Sequence, residues 1–165
     1  AAASPRNGQA ATEQGLGYLQ FQVGNAAEGV DEEAWQELNK WARKRKRPIS
    51  LNKNYEALMP YILQLDEYLA GKRSEFSLPL DLRGTEFQQS VWAALNSVSH
   101  GETVSYSQVA ESLGKTSAVR AVGTAIGANP VLIVVPCHRV VGKNGALTGY
   151  RGGVANKEKL LKLEG

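Results

Sequence analysis

The sequence predicts an α+β chain: a small N-terminal α/β subdomain followed by a mainly helical C-terminal domain. Three observations predict it. The clearest strand-like alternation comes early, in Gly17–Val23 (GYLQFQV), where Leu19, Phe21 and Val23 alternate with polar residues. Helical spacing dominates the remainder of the chain, and its densest succession of helices and short turns starts at Thr85. The 165 residues are 42% hydrophobic and 21% charged, which suits one good core or two small packed subdomains.

Residues 1–16 are small and polar without periodicity and are predicted to form a disordered lead; the chain does not open on Met, which fits truncation or processing. The subdomain over 17–80 starts with the alternating strand. A helix is expected from Asp31 to about Arg43, capped near Asp31, with Ala34, Trp35, Leu38 and Trp41 at helical spacing. The basic run Arg43–Arg47 ends at Pro48. Such runs serve as nuclear-import signals or nucleic-acid patches, but this one lacks interleaved aromatics and fits a solvated helix terminus. A second helix, Tyr55–Ala70, carries Leu58, Ile62, Leu65 and Leu69 as its stripe and Gly71 at its C′ position. Phe76–Leu80 is expected as an edge segment, since Pro79 cannot donate to a ladder.

The domain over 81–165 is more sharply punctuated. Thr85 and Gln88 form a capping box that opens a helix with Phe87, Val91, Leu95 and Val98 on one face and Trp92 beside it. Ser105–Leu113 is predicted as a short helix with Tyr106, Val109 and Leu113 inward, and Gly114–Ser117 as a turn. Ser117 is placed as the cap of a further helix, Ala118–Ala128, with Val119, Val122 and Ile126 inward. Two short helices joined by a glycine-containing turn are a helix-turn-helix pattern. The outward face of the second is nearly bare, with Ala118, Ala121, Gly123, Ala125 and Gly127 surrounding Arg120. Tight packing within the protein would explain small residues there. So would close approach to a nucleic acid, where a bare helix with one arginine suits a narrow minor groove.

Val131–Tyr150 (VLIVVPCHRVVGKNGALTGY) contains the chain's single cysteine, Cys137. A lone cysteine is either an inert core filler or a reactive thiol. His138, Arg139 and Lys143 follow it, and nearby positive charge lowers a thiol pKa, which favours the second. The apolar run before Pro136 reads as a buried strand. No apolar run approaches the roughly 18 residues of a membrane span, and an intracellular protein is expected, cytoplasmic or nuclear. A net charge of +3 permits nucleic-acid binding without demanding it.

Around Pro136-Cys137-His138-Arg139 the chain resembles the O6-alkylguanine-DNA alkyltransferases, also called methylated-DNA–protein-cysteine methyltransferases. The likeness covers about 78–165, through RGTEFQQSVWAAL, GETVSYSQVA, AVRAVGTAIGANP, VVPCHRVVGKNGALTGYRGG and KEKLL in order. Upstream it is confined to LDEYLAGKRSEFSLPL, and the family's run of hairpin strands is not legible there. The resemblance implies minor-groove binding of duplex DNA, extrusion of an O6-alkylguanine, and irreversible single-turnover transfer of its alkyl group to Cys137, with O4-alkylthymine as a further substrate. It implies that Arg120 replaces the flipped nucleotide, with Ser107, Lys115, Ala121, Gly123 and Lys143 also at the DNA. Tyr106 would press on the phosphate and hydrogen-bond the guanine. His138 would take the thiol proton through a water, oriented by Glu158, and Asn129 would tie the recognition helix to the cysteine segment. Val140, Tyr150 and Arg151 would line the guanine pocket. A monomer without cofactor or metal is expected; the zinc of some members is not, since both histidines and the cysteine fall in the second half. Two other functions use the same residues: an alkylguanine-recognising DNA-binding protein without transfer, and a cysteine hydrolase.

Overall fold

Two alanine-rich strands open the chain where an unstructured lead was expected. In the computed structural model, which describes residues 1–5, 8–21, 28–45 and 49–165 (backbone alone for 28–31), Ala2–Ser4 is strand β1 and Gln9–Thr12 is β2. β3 spans Gly15–Leu19, earlier than the predicted 17–23, of which 22–23 lie outside the described residues. After helix α1 (Glu28–Lys44) comes β4 (Asn52–Lys53), and the sheet order is β3-β2-β1-β4, antiparallel except for the β1–β4 pair.

These strands escape a hydropathy search for a physical reason. Their inward residues are small because helices lie close over them: Ala3 and Ala10 pack with Leu38 of α1, and Ala11 packs with Leu58 and Ile62 of helix α2, Tyr55–Leu69. Gly17 serves the same closeness, since a Cβ there would sit 2.8 Å from the Trp41 ring. α1 begins at Glu28, so Asp31 lies inside the helix rather than capping it.

α2 is capped by Asn54, whose side chain accepts from the Ala57 N–H. It ends as expected at Gly71, with φ +75°: the Gly71 N–H donates to Tyr68 O and the Lys72 N–H to Glu67 O, a Schellman motif. Its stripe is shifted, however, because Tyr68 is buried and Leu69 is 47% exposed. Pro79 contributes an acceptor in place of its missing donor: Leu16 N–H donates to Pro79 O, and Asp81 N–H returns to Leu16 O.

Arg45 is not solvated as a helix-terminal cation would be. Its side chain is 9% exposed, bonds Asp81 at 3.0 Å and lies over the Trp41 ring. Residues 46–48, the rest of that basic run with its proline, lie outside the described residues. Asp81 also accepts from Thr12 and from Arg83. Burial alone would raise its pKa, but the Thr12, Arg83 and Arg45 donors together hold it below the ordinary carboxylate value.

The chain divides into two compact units, Ala1–Arg83 and Gly84–Gly165. In the second, α3 (Glu86–Asn96) carries the predicted Thr85–Gln88 capping box. β5 (Val104–Ser105) leads into α4 (Tyr106–Ser112), where Ser105 and Gln108 make a second capping box. A 3-10 turn over Thr116–Ala118 precedes α5 (Val119–Gly127), and no side chain caps α5, so Ser117 does not hold the position predicted for it. Val122 and Ile126 are inward as expected, but Ala125 is buried too, and its carbonyl accepts the Trp92 indole N–H at 2.9 Å. That bond lets the largest buried side chain of this unit enter the core without stranding its donor.

The predicted strand at 131–135 is buried but turned. Val134 N–H donates to Leu132 O, Val135 N–H to Val131 O, and Ile133 has φ 73°. The run is confined between Pro130 and Pro136, which cannot donate, and Asn129 replaces the missing ladder from inside. A 3-10 turn over Cys137–Arg139, strand β6 (Val140–Val141, parallel to β5) and helix α6 (Val154–Glu164) complete the unit.

Candidate active site

Cys137 lines a small pocket of about 60 Å³. Tyr106 of α4, Gly123, Ile126 and Gly127 of α5, Leu132, and the loop residues Gly149, Tyr150 and Arg151 line it. The two helices of the predicted helix-turn-helix therefore form part of the wall around the thiol. A Cβ on Gly123 would meet the Tyr106 ring at 3.7 Å, an ordinary van der Waals contact. The Tyr106 hydroxyl is held by Thr148 Oγ1 at 2.9 Å. A cavity of about 620 Å³ in the N-terminal unit is larger, but its lining includes no cysteine or histidine.

Asn129 organises the segment around the cysteine. Its Oδ1 accepts from Val131 N–H, and its Nδ2 donates to Val135 O at 2.9 Å and to Cys137 Sγ at 3.2 Å. The Arg151 guanidinium donates to the Asn129 carbonyl. Burial pushes the Cys137 thiol above its ordinary pKa; the Asn129 donor and the charges of Arg151 and Lys157 oppose this without overcoming it. The expectation that the residues following it in sequence supply its positive environment needs correction. Arg139 is committed to a carboxylate, Lys143 is exposed, and His138 is fully buried with its pKa lowered.

His138 lies in the 3-10 turn rather than in a strand. Its Nε2 lies 2.5 Å from Glu164 Oε1. Burial drives the imidazole toward the neutral form, more strongly than Glu164 draws it toward the charged one. Burial would raise the Glu164 pKa, but the His138 and Arg139 bonds bring it from 4.5 to about 2. An ionised carboxylate only accepts, so the neutral ring carries its proton on Nε2 and keeps a lone pair on Nδ1. That Nδ1 is buried and has no hydrogen-bond partner among the described residues.

The carboxylate partner is thus Glu164, not Glu158. Glu158 is exposed and ion-paired with Lys162 one turn on. On α6 the buried face is Lys157, Leu160 and Glu164, a spacing of three and seven that excludes position 158. The helical period contained this signal. Arg139, absent from the predicted site, donates to both Glu164 oxygens and to Val98 O, and so fixes the carboxylate from the other side.

Cys137, Tyr106, Gly123, Tyr150 and Arg151 of the predicted set share the pocket, with Asn129 bonded to the thiol. Val140 is fully buried in β6. Arg120, Ala121, Lys115 and Lys143 are exposed and Ser107 is half-buried; none lines the pocket.

Fold and site together define a class: a helix-turn-helix domain whose wall encloses a single buried thiol. Comparison with known proteins narrows it. Residues 86–165 match the DNA-binding domain of 6-O-methylguanine DNA methyltransferase, and residues 10–82 match its ribonuclease-like domain. The inducible methylated-DNA–protein-cysteine methyltransferase of Bacillus subtilis is 54% identical over 129 residues, covering 78% of this chain and 72% of the relative. That of Methanosarcina barkeri is 42% identical over 155 residues, 94% and 87% of the two chains. The crystal structure of Mycobacterium tuberculosis OGT in complex with DNA shares 47% identity over 73% of this chain and 75% of that one, with a TM-score of 0.69. The chain belongs to the methylated-DNA–protein-cysteine methyltransferase family.

Proposed function

We propose that this protein repairs O6-alkylated guanine in duplex DNA by moving the alkyl group to Cys137. The observation that carries this is the placement of a buried thiol in the lining of a pocket walled by both helices of the helix-turn-helix. A guanine within the stack cannot present its O6 substituent to such a thiol, so the base is extruded, at a cost of a few kcal/mol that is lower for a damaged pair. Arg120, alone on the exposed small-residue face of α5, takes the place of the departed nucleotide. Ser107, Lys115, Ala121, Gly123 and Lys143 serve the DNA, the lysines through phosphates, which position without specifying sequence.

In the pocket Tyr106 hydrogen-bonds the guanine, with Val140, Tyr150 and Arg151 around it. Cys137 Sγ forms a bond to the alkyl carbon as the bond from that carbon to O6 breaks. The electron pair goes to the guanine, which ends with the proton given up by the thiol. His138 relays that proton through a water at Nδ1, while Glu164 stabilises the charge it transiently carries. The product is a thioether with no carbonyl for water to attack, and no second cysteine exists to accept the group. Each molecule therefore acts once, as a monomer, wherever in the cell the DNA lies. No helix among the described residues is long and apolar enough to cross a membrane.

Incubation with duplex DNA containing O6-methylguanine, followed by mass analysis of the Cys137 peptide, tests the assignment. A methyl-sized gain that saturates at one per protein is expected. An unmodified peptide sinks the transfer, and product in excess of protein points to a hydrolase.

A further inference from the structure

Lys157 is 1% exposed and is among the largest fully buried side chains of the protein. A buried ammonium is costly unless paired. Its hydrogen bond is to a neutral group, the Val140 carbonyl, 2.5 Å from Nζ. Among the described residues it forms no salt bridge, although Glu164 lies two turns further along the same buried face of α6; that carboxylate is taken by His138 and Arg139. Among the described residues the group that acts on it as an anion is the thiol of Cys137, three residues before the carbonyl that Lys157 grips. The two act on each other: the lysine charge favours the thiolate, and the thiolate favours the charged lysine.

We propose that Lys157 is a positioning residue that supplies the buried counter-charge to the Cys137 thiolate while pinning the strand that follows it. This rests on Cys137 being the acceptor. The other groups facing the thiol do different work. Asn129 donates a neutral hydrogen bond, and Tyr106 and Tyr150 line the pocket. Arg151 lines the pocket and lends its charge to the thiol from an exposed position while bonding the Asn129 carbonyl. His138, Arg139 and Glu164 close on one another. Lys157 is the fully buried cation that acts on the sulfur. Its grip on Val140 O also fixes the parallel β5–β6 pair, in which Val104 lies opposite Val140 two residues before Tyr106.

The single cysteine allows its ionisation to be read without DNA. Alkylation by iodoacetamide, followed by intact mass from about pH 7 to about pH 11.5, gives a midpoint for the thiol. In Lys157→Met this midpoint should rise by about one pH unit, with reactivity at pH 7 falling about tenfold. Lys157→Gln, which keeps a donor for Val140 but no charge, should behave the same, and Lys157→Arg should recover most of the loss. An unmoved midpoint in either neutral variant overturns the proposal. Should both fail to fold, the wild-type protein answers instead. Capping Cys137 with methyl methanethiosulfonate should lower the Lys157 titration midpoint, followed by NMR of its ε-carbon, by about one unit. No change on capping overturns it equally. A wild-type thiol that titrates in this way yet takes no methyl from DNA would sink the repair function and leave the pairing intact.

Discussion

Each unit of this protein buries one carboxylate between two basic side chains, and the two clusters are built for opposite ends. Asp81 in the N-terminal unit is held by Arg45, Arg83 and Thr12. Both cations are guanidiniums, which never release a proton in the working range, so the cluster has one state and serves as a clasp. Glu164 in the C-terminal unit is held by Arg139 and His138. Replacing one guanidinium by an imidazole leaves the geometry similar but gives the cluster two protonation states. The same arrangement of charges is thereby either structural or able to move a proton, depending on one side chain.

Breaking the second cluster should have the largest effect. Glu164→Gln leaves Arg139 and His138 buried beside a neutral amide. It should slow alkyl transfer by about 10²–10³-fold and destabilise the fold by about 3–5 kcal/mol. Single-turnover kinetics and urea unfolding measure the two. The pH dependence has a definite sign. Glu164 has its folded pKa depressed from 4.5 to about 2, so its contribution is present above pH 4.5 and lost as pH falls toward 2. His138, held neutral by burial, adds a loss in the same direction once pH drops below its ordinary 6.5. Acid unfolding followed by circular dichroism should therefore shift to lower pH in a variant lacking the Glu164 carboxylate, relative to its own stability at neutral pH.

Asp81→Asn should come next, costing about 2–4 kcal/mol, somewhat less than the full buried-pair value because Arg83 is half exposed. Its reaction with free O6-benzylguanine, under conditions where the protein is folded, should stay within about twofold of wild type. A tenfold loss would mean that the clasp is not merely structural. The smallest effect belongs to Glu158→Gln, which should change stability by no more than about 0.5 kcal/mol and leave transfer unaltered. A hundredfold loss there would return the orienting role to Glu158.

The sequence is most legible where backbone chemistry is local. The Thr85–Gln88 capping box, the Gly71 C′ position and the inward Val122 and Ile126 can be read from a few neighbouring residues. It is least legible where a residue answers to a distant element. Ala3 and Ala10 look featureless because α1 lies over them, and Ala125 looks outward until Trp92 claims its carbonyl. The run Val131–Val135 is apolar enough for a strand, yet the bonds that shape it come from Asn129, outside the run. Within the site, Cys137 is marked by the family motif around it and not by the charges that follow it, whereas Glu164 required following the buried period of α6 to its last turn. An ion pair such as Glu158–Lys162 imitates function at that range, because charge spacing alone does not say which face is buried.

The burial of Cys137 bears on how long the protein remains fit for use. A thiol that reacts once cannot be regenerated by turnover, so every encounter with a peroxide or stray electrophile would remove a molecule from service. Enclosure at 5% exposure, with a pKa raised by that same burial, keeps the sulfur protonated and out of reach at rest. The pocket is thus a storage vessel as well as a reaction site: the property that slows the thiol in isolation preserves it for the lesion.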